Sequence, residues 1–275
     1  MKIFTKYLIL LLSLGVVISC KTKEEVVIPE VLCSPTLNAD DYSSEKFNYD
    51  VNGKPIGGEL NGDIFKFEYA GSNITKMIFP NATTTVEYDA QNRPVKAKKV
   101  YASVDFNYTT DFVITYDANN RLNTELATFK GDFEFVLLSR LEYDAKRNVL
   151  KQYMKENTNP EFLWIENAGF DDKKNVGKAL KWNPLHLFYD PLNLYDTQSE
   201  NNQATSKARV INSEYLGGLY NVDIKNAYTA YNSNGYPTAG THDFSYEHAD
   251  FSDPTSTTTV KNIGTSKLQL DYFCK

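Results

Sequence analysis

From Phe47 onward the chain alternates apolar and polar residues in short runs, and most of the runs end on the same phrase. One copy is Val86-Glu87-Tyr88-Asp89-Ala90-Gln91-Asn92-Arg93-Pro94, and another is Ile114-Thr115-Tyr116-Asp117-Ala118-Asn119-Asn120-Arg121-Leu122. Leu141 to Val149 and Phe47 to Ile56 repeat it, and Ala230 to Thr238 is a late copy with Asn232 in the Asp position. Phe67 to Ile74 and Phe170 to Val176 are degenerate copies. Alternation up to the Tyr is the period-two pattern of a half-buried strand. Asp then opens a turn, where its carboxylate accepts a backbone N–H two residues on. Three residues later stands Gly53, Asn92, Asn120 or Gly235, residue types that tolerate positive φ. These are the marks of a type I turn closed by a left-handed residue, and alternation restarts directly after it. Each unit therefore reads as strand, tight turn, strand.

Repetition at this scale sets the architecture. The expected fold is all-β: repeated antiparallel β-hairpins forming a large twisted or curled sheet, with an irregular Pro/aromatic-rich insertion. Tyr at a strand end packs its ring across the sheet while its hydroxyl reaches water. The insertion lies where the phrase breaks down, after Asn157. Asn183 to Tyr195 is dense in aromatic and aliphatic residues, and Pro184 and Pro191 exclude a regular helix through it. Such a segment caps an open edge of the sheet, or presents Trp164, Trp182, Phe188, Tyr189 and Tyr195 as a binding surface. Asp196 to Lys207 reads as a surface loop. Strands resume at 208–212, 219–224 and 227–231, and Lys267 to Cys274 alternates cleanly as a closing strand.

The N-terminus changes the picture of location. Met1, Lys2 and Lys6 precede an apolar run from Tyr7 to Ile18 that is short for a bilayer span, and Val17-Ile18-Ser19 leads into Cys20. This resembles a bacterial lipobox, which implies cleavage before Cys20 and lipidation of its thiol. The organisation expected is a signal peptide over 1–19, a lipidated Cys and tether over 20–38, and a single β-repeat domain over 39–275. Lys23-Glu24-Glu25 resembles the export signal of Bacteroidota lipoproteins that reach the outer face of the outer membrane. Cys33 and Cys274 remain, one at each end of the domain. In an oxidising envelope they are expected to pair, the alternative being two buried free thiols. A loop of this length implies on the order of 4–5 kcal/mol in the chain-entropy picture.

Charge is mixed with a net of −6, and no basic stripe exists, which argues against nucleic acid as a partner. His186, His242 and His248 fit no common zinc spacing. No nucleophile elbow, Walker loop or dinucleotide glycine pattern is present. Asp50, Asp89, Asp117, Asp144 and Asp171 could form a calcium row, but Lys54, Arg93, Arg121, Arg147 and Lys174 stand close enough to neutralise it. The expectation is no catalytic residue, no metal and no cofactor.

The Tyr-Asp-x-x-Asn/Gly-Arg/Lys unit looks like the YD repeats of bacterial Rhs-type shells. Together with the lipobox it resembles Bacteroidota lipoproteins of the DUF4595 kind. That resemblance implies a hairpin-built sheet on the cell envelope and carries no active site to transfer. The functional expectation is an outer-membrane lipoprotein, periplasmic or surface-exposed, acting as a non-catalytic binding or interaction module for a glycan, peptide or partner protein. The alternatives are a structural or assembly accessory of an outer-membrane system and an enzyme acting on envelope polysaccharide.

Overall fold

The computed structural model describes residues 33–39, 44–102, 107–132, 134–175, 198–211, 218–250 and 262–274. Cys20, Trp182, Phe188, Tyr189 and Tyr195 lie outside them, as do the segments read as signal peptide and insertion. Among these residues sixteen strands follow one another: β1 Cys33–Ala39, β2 Ser44–Tyr49, β3 Pro55–Leu60, β4 Asp63–Ala70, β5 Asn73–Ile78, β6 Ala82–Tyr88, β7 Pro94–Ala102 and β8 Asn107–Tyr116. Then come β9 Leu122–Lys130, β10 Glu134–Tyr143, β11 Val149–Glu156, β12 Phe162–Lys174, β13 Asn201–Ile211, β14 Gly218–Tyr231, β15 Pro237–Asp250 and β16 Asn262–Cys274.

Each strand pairs antiparallel with its sequence neighbours, and β1 pairs with β16 to close a barrel. The curled sheet expected from the sequence is thus a closed one. A meander leaves only its first and last strands unpaired, and joining them removes the edges altogether. Two boundaries are also corrected. The segment read as tether already contains β1, and the segment read as a loop up to Lys207 is strand from Asn201. Both were obscured by a shortage of apolar residues.

Burial alternates along the strands and fixes which face is inside. On β4, Phe65 and Phe67 are buried while Ile64, Lys66 and Glu68 are exposed. The buried set joins into one cluster that includes Phe47, Met77, Val86, Phe112, Leu141 and Met154. The register carries this face across strands: Phe67 lies opposite Met77, and Val86, Ala97, Phe112, Ala127 and Leu137 form a transverse row. Gly58 makes room for it, because a Cβ there would sit 2.6 Å from Phe65 Cζ and 1.9 Å from the Lys46 carbonyl oxygen. The opposite face is a lattice of ion pairs: Lys46–Glu59, Lys76–Glu68, Lys130–Asp111 and Lys151–Glu166 between neighbouring strands, and Arg140 held by both Glu142 and Glu161.

The repeated phrase forms the hairpins β2–β3, β4–β5, β6–β7, β8–β9 and β10–β11, with a late one at β14–β15. Asp89 Oδ1 accepts the N–H groups of Gln91 and Arg93 at 2.9 and 3.0 Å, and Asn92 closes the turn at φ 58°. Asp117 and Asp50 do the same, and Asn232 shows that a neutral amide oxygen serves equally. Beyond each of the first five turns the register slips by one residue, so Tyr88 faces Pro94 while Glu87 faces Lys96. Such a bulge disrupts the ladder locally. The Tyr of the next hairpin fills the gap. Tyr69 donates to the Pro55 carbonyl, Tyr88 to Ile74 at 2.6 Å, Tyr116 to Pro94 at 2.9 Å and Tyr143 to Leu122 at 2.8 Å. Cations from the turns cover three of these rings: Lys54 over Tyr69, Arg93 over Tyr116 and Arg121 over Tyr143. The hydroxyls therefore belong to the fold and do not simply reach water. Burial pushes Tyr88 up to about 12 and raises Tyr69, Tyr116 and Tyr143 as well.

Candidate interior site

The tyrosine row stops where the sequence has Phe170 in place of Tyr. The next carbonyl in the series, on Val149, is taken instead by Asn167 Nδ2 at 2.7 Å. That substitution brings a polar side chain to the inner face of β12. Asn167 is 4% exposed, and its Oδ1 has no hydrogen-bond partner. Directly opposite it on β13 is Ser206, 2% exposed, whose Oγ also has none.

The register extends this polarity across the wall. Ser206 faces Ile224, Asn226 faces His242, and His242 faces Ser266. His242 Nδ1 and Asn226 Oδ1 are 2.7 Å apart, and Asn226 Nδ2 donates to the Gln203 carbonyl at 3.0 Å. Gln203 Nε2, close by on β13, is buried without a partner. Lys207, Lys225 and Lys267 occupy the alternate, exposed positions, so charge is kept outside. The barrel interior is therefore two-sided. Among the described residues, β2 to β11 give a mainly apolar wall that also holds the buried carboxylate of Glu125, and β12 to β16 carry a strip of amides, hydroxyls and the His242 imidazole.

A second polar network anchors the start of β13. Asp171 Oδ2 accepts from Asn202 Nδ2 at 3.0 Å and from the Tyr231 hydroxyl at 3.2 Å. Asn148 Oδ1 accepts the Asn201 N–H at 2.8 Å, and Ser199 Oγ accepts the Val149 N–H at 3.0 Å. Every contact here holds one protein segment to another, so the network positions the strip.

Of the surface read from the sequence, Trp164 is in the core, 8% exposed and edge-on to Phe162 with ring centroids 6.2 Å apart. It is not a surface residue. Trp164 is itself the extra residue of a bulge on β12, since Leu163 pairs with Tyr153 and Ile165 with Gln152, and this accompanies its inward turn. Cys33 and Cys274 are opposite one another as the first pair of the β1–β16 ladder. Asp89 and Asp117 are occupied by their turns and by Arg93 and Arg121 at 2.6 and 2.7 Å. Among the described residues no group of three or more His, Cys, Asp or Glu side chains could hold a metal ion. The sequence reading missed Asn167, Ser206, Asn226 and Ser266. The signal available was Phe170 in a Tyr position, which marks where a hydroxyl had to be replaced.

No protein-family model matches the chain, and no curated protein does. Among solved structures, it is similar to a porin-like protein from Bacteroides uniformis ATCC 8492, at 12% identity over 89% of this chain and 96% of that one, with a TM-score of 0.49. It is also similar to a porin-like protein from Bacteroides vulgatus ATCC 8482, at 10% identity over 86% and 98% of the two chains, with a TM-score of 0.49.

Proposed function

We propose that the chain is a cell-envelope lipoprotein, tethered to the outer membrane through Cys20, whose barrel stays in water and acts as a non-catalytic binding module with its ligand inside. The observation that carries this reading is the polarity of the wall. A barrel that crosses a bilayer needs an outward apolar band, and an outward Lys or Arg at the midplane costs roughly 2–4 kcal/mol. Here Lys46, Lys66, Lys96, Arg140 and Lys151 lie on outward positions of strand after strand, and the clustered apolar residues point in, with Ile56, Ile64, Val100 and Val113 as outward exceptions. A water-facing barrel with an apolar interior is suited to enclosing a ligand. The chemistry of that interior, amides and hydroxyls beside aromatic rings together with the buried carboxylate of Glu125 on β9, offers hydrogen bonding and packing.

Fractionation of cells expressing the Cys20→Ser variant tests the reading. The variant is expected in the soluble envelope fraction, and the unaltered protein in the outer membrane. Planar bilayers exposed to the variant are expected to show no discrete conductance. Stepwise conductance, or a variant that resists carbonate extraction, would sink the proposal. The Cys33–Cys274 bridge belongs to the same reading and is supported by their register. Thiol labelling of the unfolded, unreduced Cys20→Ser protein is expected to find no reactive cysteine.

A further inference from the structure

We propose that the polar strip on β12–β16 holds the neutral, hydroxyl-bearing head of an amphipathic ligand, a glycoside by chemical class, whose apolar portion lies against the hydrophobic wall. This rests on the reading of the barrel as an interior binding module. Asn167 Oδ1 is an acceptor and Ser206 Oγ both donor and acceptor, and each is buried with no partner in the protein. As directly opposed residues their Cβ atoms stand roughly 4.5–5.5 Å apart, so a single hydroxyl between them donates to one and pairs with the other. Leaving such groups buried and unpaired is costly, so an occupant that satisfies them gains by it. Gln203 Nε2, a third unpaired group, adds a donor.

The class of head group follows from charge. The described inward side chains on β12–β16 include Asn167, Ser206, Asn226, His242 and Ser266, and no Asp, Glu, Lys or Arg among them. A carboxylate or phosphate would be desolvated there without a cation to meet it, and an ammonium without an anion. Sugar hydroxyls donate and accept at once, which suits a set of amides and hydroxyls. Trp164 and Phe162 begin the same strand and provide aromatic surface beside the strip.

Titration calorimetry on the soluble Cys20→Ser protein tests this with three probes: octyl glucoside below its micelle concentration, octanoate and 1-octanol. Octyl glucoside is expected to bind at a single saturable site, at least tenfold tighter than octanoate. Asn167→Leu and Ser206→Ala should each weaken octyl glucoside about fivefold, the effect of one neutral hydrogen bond, and leave 1-octanol unchanged. Should Ser206→Ala fail to fold, Ser266→Ala on the same strip is measured instead. Equal binding of all three probes, insensitive to these variants, overturns the head-group assignment and leaves interior binding standing. Binding of none of them overturns both.

Discussion

Tyr143 shows how one side chain joins two hairpins. Its hydroxyl donates to the Leu122 carbonyl at 2.8 Å while Arg121, from the preceding turn, covers its ring at 4.5 Å. Tyr143→Phe is expected to cost about 0.5–1.5 kcal/mol in urea denaturation, the net worth of one hydrogen bond. Tyr153→Phe is the control and should cost far less, because its hydroxyl reaches only exposed Glu142 at 3.4 Å. Asp117 makes a prediction in pH. Burial alone would raise its carboxyl, but the backbone N–H of Arg121 and the Arg121 guanidinium outweigh that and hold it below the usual range. A depressed folded value contributes stability that is complete above the ordinary aspartate range and is lost as the pH falls below it. Asp117→Asn keeps the turn, as native Asn232 does, and should flatten that acid limb in denaturation midpoints measured between about pH 5 and pH 2. The turn roles of Asp and Asn/Gly could be read from the sequence because they are local. The hydroxyl's partner could not, since it is a carbonyl at a bulge in a different hairpin.

At the scale of the hairpin, the fourth turn position is occupied by Asn92, Asn120 and Gly53, but by Arg147 in the β10–β11 copy, at φ 71°. Arg is strained there, and its ion pair with Glu200 is long at 3.7 Å and exposed. Arg147→Gly is therefore expected to stabilise the protein by about 0.5–1 kcal/mol, seen as a higher urea midpoint at unchanged slope. The tyrosine row predicts the alkaline limit. A tyrosine whose folded value is raised contributes stability present below pH 10 and lost as the pH climbs through the folded value. Tyr88 stands at about 12. Tyrosinate absorbance should thus appear together with loss of the far-ultraviolet strand signal, well above pH 10; titration at pH 10 with the fold intact would refute the buried hydroxyl row. Strands β6 to β11 were legible because their apolar face meets other apolar residues. The first half of β13 was not, because an inward Ser206 and an outward Lys207 leave no hydrophobic alternation to read, whereas its end was read as strand from Ala208.

For the whole molecule, the meander implied hairpin following hairpin, and nothing in the local pattern determined whether the two ends would meet. Closure depends on a long-range match between Cys33–Ala39 and Gln269–Cys274, and the first of these has little apolar periodicity. The division of the interior was likewise invisible along the chain, since it emerges only when β12–β16 are set side by side. Closure also has a mechanical consequence. The barrel's first pair, Cys33 with Cys274, brings the start of β1 to the end of β16, so a load arriving from the N-terminal side falls on the joint itself. With the two sulfurs bonded, the load passes through one covalent link into β16. With them reduced, it works on the β1–β16 ladder pair by pair, and on only three pairs between β1 and β2. Pulling single molecules from residue 33 should then show an early, low-force step of one strand's length under reducing conditions and none under oxidising ones.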